Sequence, residues 1–167
     1  MKLTYRIEDG TRLGSLLWEF GPGWRMISSA VLGGGIGPRE WTEAYATVGL
    51  RVPTWAAAPE GREDPELAPM RVGTVNIVAV LPVAMTDAAL VNMVMTVTEA
   101  KTQALVETGF AGTGTASDAV CVAVPAEGPP QLFGGPRSEW GARVARAVHT
   151  AVRRGAESWP GHPHPKP

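Results

Sequence analysis

The sequence predicts one α+β domain, with a largely antiparallel or mixed sheet of six to seven strands covered by two main helices. Three observations carry this. Short strand-like segments fill the first half of the chain and the two helical patterns come late. Residues 73–83, GTVNIVAVLPV, form a near-continuous Val/Ile/Ala run, the pattern of a central strand buried on both faces. The length, 167 residues, suits one domain able to bury roughly 70% of its unfolded surface. That domain is expected over 1–158, with the Pro/His-rich residues 159–167 as a disordered tail.

The elements follow in order. Residues 3–8 and 12–20 are strand-like around the turn Glu8-Asp9-Gly10. Trp24 to Leu32 is a third strand candidate, with Ser28 and Ser29 in an apolar setting, and it runs into Gly33, Gly34 and Gly35. Three successive glycines either let a ligand approach bare backbone amides or simply make a turn. No Gly-Lys-Ser/Thr follows them, so they are not a phosphate-binding loop. Residues 43–50 and 52–58 read as short strands around Pro53, and PEGREDPELAP as a solvated loop. Asn76, inside the central run, needs hydrogen-bond partners and is either a core-fixing amide or a ligand contact.

Thr86 or Asp87 caps a helix over 88–108, whose apolar stripe is Leu90, Val94, Val97, Ala100 and Ala104. Asn92, Thr96, Glu99 and Gln103 recur along a second face. Glu99 is then either a partly covered carboxylate or an exposed one bonded to Gln103. Gly109 ends the helix. A loop rich in small hydroxyl residues, FAGTGTASD, leads into a buried strand over 118–124. The last helix spans Glu139 to Glu157, with Val144, Val148 and Val152 inward and its arginines outward. His149 lies at the edge of that stripe, as a packing histidine.

Composition narrows the chemistry. The formal net charge of −1 leaves no electrostatic footprint for nucleic acid. The apolar stretch 72–97 is broken by Asn76, Pro82, Asp87 and Asn92, so no membrane span is expected. One cysteine, Cys121, and a charged N-terminus point to the cytoplasm. Of three histidines, only His149 lies outside the terminal tail, so a multi-histidine metal site cannot be assembled and no cofactor is expected. Hydrolytic chemistry would fall to carboxylates, hydroxyls, Lys and backbone groups.

Four segments, ISSAVLGGG (27–35), GTVNIVAV (73–80), TEAKTQAL (98–105) and GTGTASDAVCVA (112–123), stand in order and at telling separations. Together they resemble the adenosylcobinamide amidohydrolase family, and PRSEWGARVARAVHTAV (136–152) looks like that family's C-terminal helix. The sequence departs from the family pattern at Gly112, Ala116 and Ser117, while Thr113, Gly114, Thr115 and Asp118 match. It also passes from Gly35 to Thr47 almost directly, where family members carry a sizeable segment. The resemblance implies hydrolysis of the amide joining aminopropanol to a corrin side chain, with a corrinoid as the small-molecule partner. The alternatives are a non-catalytic corrinoid or small-ligand binding protein on the same fold, and a hydrolase of another amide. A homo-oligomer is left open.

Amide hydrolysis needs an activated nucleophile, a stabilised oxyanion and a proton for the leaving amine. Glu99 or Asp118 is the candidate base, and Thr113, Thr115 and Ser117 are the candidate hydroxyls. Lys101 either meets the oxyanion or pairs with Asp118. Ser28, Ser29, Gly33, Gly34, Gly35, Asn76, Thr113, Gly114 and Ser117 are the substrate-binding candidates. Tryptophans 18, 24, 41 and 55 are candidate walls for a flat ligand, or core and interface residues.

Overall fold

A computed structural model describes residues 2–8, 11–17, 21–28, 42–57 and 73–160. Strands β1 (Lys2–Glu8) and β2 (Thr11–Leu17) pair antiparallel as a hairpin of their own. The second sheet contains β3 (Trp24–Ser28), β4 (Glu43–Val48), β5 (Val75–Val80) and β6 (Ala119–Pro125), in the order β3-β6-β5-β4. The outer pairings are antiparallel and the central β5–β6 pairing is parallel. The parallel pair exists because α1 (Asp87–Glu107) lies between β5 and β6 and carries the chain back along the sheet.

The expectation of one sheet with six to seven strands is therefore corrected. Among the described residues the principal sheet is mixed and four-stranded, and the first two strands form a separate sheet. Residues 52–57 are not a strand either. Their β-type pairing is one isolated bridge, Thr54 to Gly114, because Pro53 has no N–H to extend a ladder. Ser29 to Leu32 and the three glycines Gly33, Gly34 and Gly35 lie outside the described residues, as do Trp18, Trp41 and residues 161–167.

Both helices pack against the same face of the sheet and against each other. Helix α2 (Glu139–Glu157) lies on β4 and β5, and α1 on β6 and β3. Strand alternation sends Val75, Ile77 and Ala79 of β5 and Val120, Val122 and Val124 of β6 into that layer. They meet Leu90, Met93, Val97, Ala104 and Leu105 of α1, and Val144, Val148 and Val152 of α2, all buried. The central strand is not covered on both faces as its composition suggests. Asn76 is exposed, and its amide donates a long 3.5 Å bond to the Thr47 hydroxyl of β4.

Helix boundaries follow from their caps. Thr86 accepts from the Ala89 N–H, and Ser138 accepts from the Gly141 N–H. Past Thr108, Gly109 turns the chain out of α1 with a φ of 84°, a conformation that glycine adopts without strain. Where α1 and α2 meet, His149 hydrogen-bonds Glu107 at 2.7 Å, and Gln103 donates to the same carboxylate rather than to Glu99. Those two bonds, that from Gln103 first, hold the Glu107 carboxyl below its ordinary pKa. On α2, the bond from Arg153 to Glu157 raises the guanidinium pKa.

Candidate active site

The loop that leaves α1 and enters β6 is tied down from three sides. From α1, the Thr102 hydroxyl donates to the Thr113 carbonyl at 3.1 Å. From residues 52–56, the Thr54 N–H donates to the Gly114 carbonyl and the Thr113 N–H returns to the Thr54 carbonyl. The Ala56 N–H also donates to the Thr113 hydroxyl at 2.9 Å. From the start of β5, the Thr74 hydroxyl donates to the Ser117 carbonyl at 2.9 Å.

At the centre of these ties sits a carboxylate. Asp118 Oδ2 accepts from Lys101 Nζ at 2.5 Å and from the Thr115 N–H at 3.1 Å. Its Oδ1 accepts from the Thr115 hydroxyl at 2.5 Å and from the Val75 N–H at 2.9 Å. The Lys101 and Asp118 side chains are only 8% and 10% exposed. A carboxylate offers about four lone-pair positions, and these four donors fill them. Lys101 reaches this point because the second half of α1 lies over the end of β6, with Ala100 and Ala104 packed in the core beside it.

Gly114 lets the cluster form. A Cβ there would stand 2.1 Å from Asp118 Oδ2 and 2.6 Å from Lys101 Nζ. Gly112 is also required for space, since a Cβ would meet the Thr54 backbone nitrogen at 2.7 Å.

Lys101, Asp118, Thr115, Gly114 and Thr113 are thus brought together, and the Ser117 backbone joins them while its side chain is exposed. Glu99 is not. Residues two apart on a helix diverge by roughly 200°, so burial of Lys101 leaves Glu99 in solvent, without a hydrogen bond or ion pair among the described residues. Asn76 is separated for a related reason, since alternation puts it on the face opposite Val75. Ser28 ends β3 in register with Cys121, three residues beyond Asp118 along β6. Thr54, Thr74 and Thr102 were not singled out from the sequence. Thr102 adjoins Lys101 in TEAKT and Thr74 opens GTVNIV, so their motifs held a signal, whereas nothing local marks Thr54.

Among the described residues, no three His, Cys, Asp or Glu side chains converge as a metal site, and no helix is long and apolar enough to cross a membrane.

Residues 39–163 match the model of the CbiZ family, adenosylcobinamide amidohydrolase. The chain belongs to that family. The whole Lys101–Asp118 cluster lies inside the matched span, and the segment 27–35 lies outside it. The chain is 39% identical over 115 residues to the adenosylcobinamide amidohydrolase of Halobacterium salinarum, covering 68% of this chain and 49% of that protein. It is 33% identical over 96 residues to the protein of the same name from Methanosarcina mazei, covering 52% of this chain and 48% of that one. It therefore spans about half the length of the curated relatives it matches. No solved structure matches.

Proposed function

We propose that this chain hydrolyses the amide joining aminopropanol to a corrin side chain of adenosylcobinamide, releasing adenosylcobyric acid for cobamide salvage. Family membership over residues 39–163 carries the proposal. The buried Lys101–Asp118 cluster and its loop supply groups the reaction needs. Asp118 is the base, Thr115 is the hydroxyl within its reach, and Lys101 keeps two further N–H donors for a developing oxyanion. Glu99, exposed on the neighbouring helix face, is assigned to the periphery of a large substrate rather than to the reacting bond. Gly114, Thr113 and Ser117 shape the loop side of the site. Asn76, with Ser28, Ser29 and the glycines 33–35, is proposed to contact the corrin. The substrate is taken up in the cytoplasm, which fits the single cysteine.

Incubation of the protein with adenosylcobinamide, followed by mass spectrometry, tests this. Adenosylcobyric acid and free aminopropanol in equal amounts are expected, and intact adenosylcobinamide at high enzyme concentration would reject the activity. One observation favours a second reading, a corrinoid-binding protein without turnover: the chain covers only about half of its relatives. Calorimetric binding of adenosylcobinamide with no product would select it.

A further inference from the structure

We infer that the Thr115 hydroxyl, and not a water molecule, is the first nucleophile, so that the reaction runs through an ester on Thr115. This rests on the amidohydrolase reading above. The argument is one of occupancy. Both lone-pair positions of each Asp118 oxygen are taken by protein donors: Val75 N–H and Thr115 Oγ on Oδ1, Thr115 N–H and Lys101 Nζ on Oδ2. Two of these are backbone amides and one is an ammonium. The Thr115 O–H, 2.5 Å from Oδ1, is the only hydroxyl among them. A water has no free position from which to give its proton to Asp118, whereas Thr115 is already aligned to do so. Thr115 is half-buried, and Ala116 and Ser117 beside it are exposed, so the hydroxyl lies next to the open part of the loop.

The steps balance. Thr115 Oγ–H gives its proton to Asp118 Oδ1 as Oγ bonds to the amide carbon. The C–N bond then breaks, and the proton on Asp118 passes to the departing aminopropanol nitrogen, leaving a threonyl ester. Acylation removes the donor that occupied Oδ1, so a water now fits there. That water gives a proton to Asp118 as its oxygen attacks the ester carbon. The ester C–O bond breaks, and the proton returns to Thr115 Oγ as the free acid leaves. Lys101 takes no part in the proton transfers. The arrangement admits water to the base only after the amine has gone.

The test uses the full chain with adenosylcobinamide. Acid-quenched samples are analysed by intact mass and peptide mapping, and parallel reactions contain hydroxylamine. Expected are a corrinoyl adduct on the peptide bearing Thr115 and diversion of product to the hydroxamate. Thr115→Ala should lower kcat about a thousandfold or more with substrate binding unchanged and melting lowered only by the loss of one bond to Asp118, and Thr115→Ser should restore part of both. Turnover by Thr115→Ala within tenfold of the parent overturns the nucleophile while leaving the amidohydrolase intact. So does a turning-over parent that yields neither adduct nor hydroxamate. A parent chain that makes no adenosylcobyric acid overturns both.

Discussion

Helix α1 makes two carboxylate contacts near its C-terminal half that use similar chemistry in different surroundings. Lys101 meets Asp118 with both side chains almost wholly covered, 8% and 10% exposed. Two turns on, Glu107 meets His149 with 41% and 23% exposed. The outer contact is an ion pair only when the imidazole carries a proton, and solvent reaches it as well. Water screens and replaces the outer pair, which therefore contributes little. The inner pair is held by two backbone amides and a hydroxyl as well as by its partner, and loss of one member strands a charge where water does not reach. The difference teaches that the loop before β6 is built around its carboxylate, whereas the seam between the helices is built around its valines.

Breaking the inner pair should have the largest effect. Lys101→Met leaves Asp118 buried without its cation, an expected loss of about 3–5 kcal/mol, or roughly 10 °C in Tm for a chain of this size. Differential scanning calorimetry reads it directly. A melting temperature within a degree of the parent would mean that the pair is in solvent after all.

Gly114→Ala comes next. Its methyl must push Asp118 or Lys101 aside, at about 2–3 kcal/mol for an overpacked site. Turnover should fall more than stability, because the displaced atoms are the proposed reacting groups. A crystal structure with the pair undisturbed would contradict the required close approach.

The smaller ties grade downward. Thr102→Val removes one hydroxyl bond to the Thr113 carbonyl, and urea unfolding should detect about 1 kcal/mol. Glu107→Gln should leave the neutral-pH melting curve nearly unchanged, and its pH dependence sharpens the contrast. The Glu107 carboxyl is held low by Gln103 and then His149. Its contribution is therefore complete above the unfolded carboxylate value, about 4.3, and fades as pH falls through the lower folded value. Melting curves of parent and variant should converge in acid, and a gap that widens below pH 4 would reverse the sign.

These contacts also mark what was legible in the sequence. Helix α2 was readable to its ends, Glu139 and Glu157, because Ser138 and the valine spacing are local signals. The partnership of Lys101 with Asp118 was one of two readings left open for that lysine, and the helix period alone separated it from Glu99. The strand count was not readable. Val52 to Ala58 has the composition of a strand, but among the described residues only Thr54 forms a bridge, to the distant Gly114, and Pro53 has no N–H to extend it. Nor could the central run disclose that one of its faces stays partly open at Asn76, since burial is decided by helices that both choose the other side. The role of Thr54 depends on chain 59 residues away, and no local pattern encodes such a meeting.

The direction of the β5–α1–β6 crossover has a consequence for electrostatics. Because β5 and β6 run parallel, α1 begins at their carboxyl ends and finishes beside the loop that carries Asp118. Helix α2, following β6, also begins at the far end. The Asp118 loop therefore lies at the opposite end of the sheet from both helix amino termini, whose partial positive charges attract anions. Many α/β sites recruit phosphate with such termini. This loop instead offers a single buried ammonium already matched by a carboxylate, a setting without net charge that fits the uncharged amide proposed as its substrate.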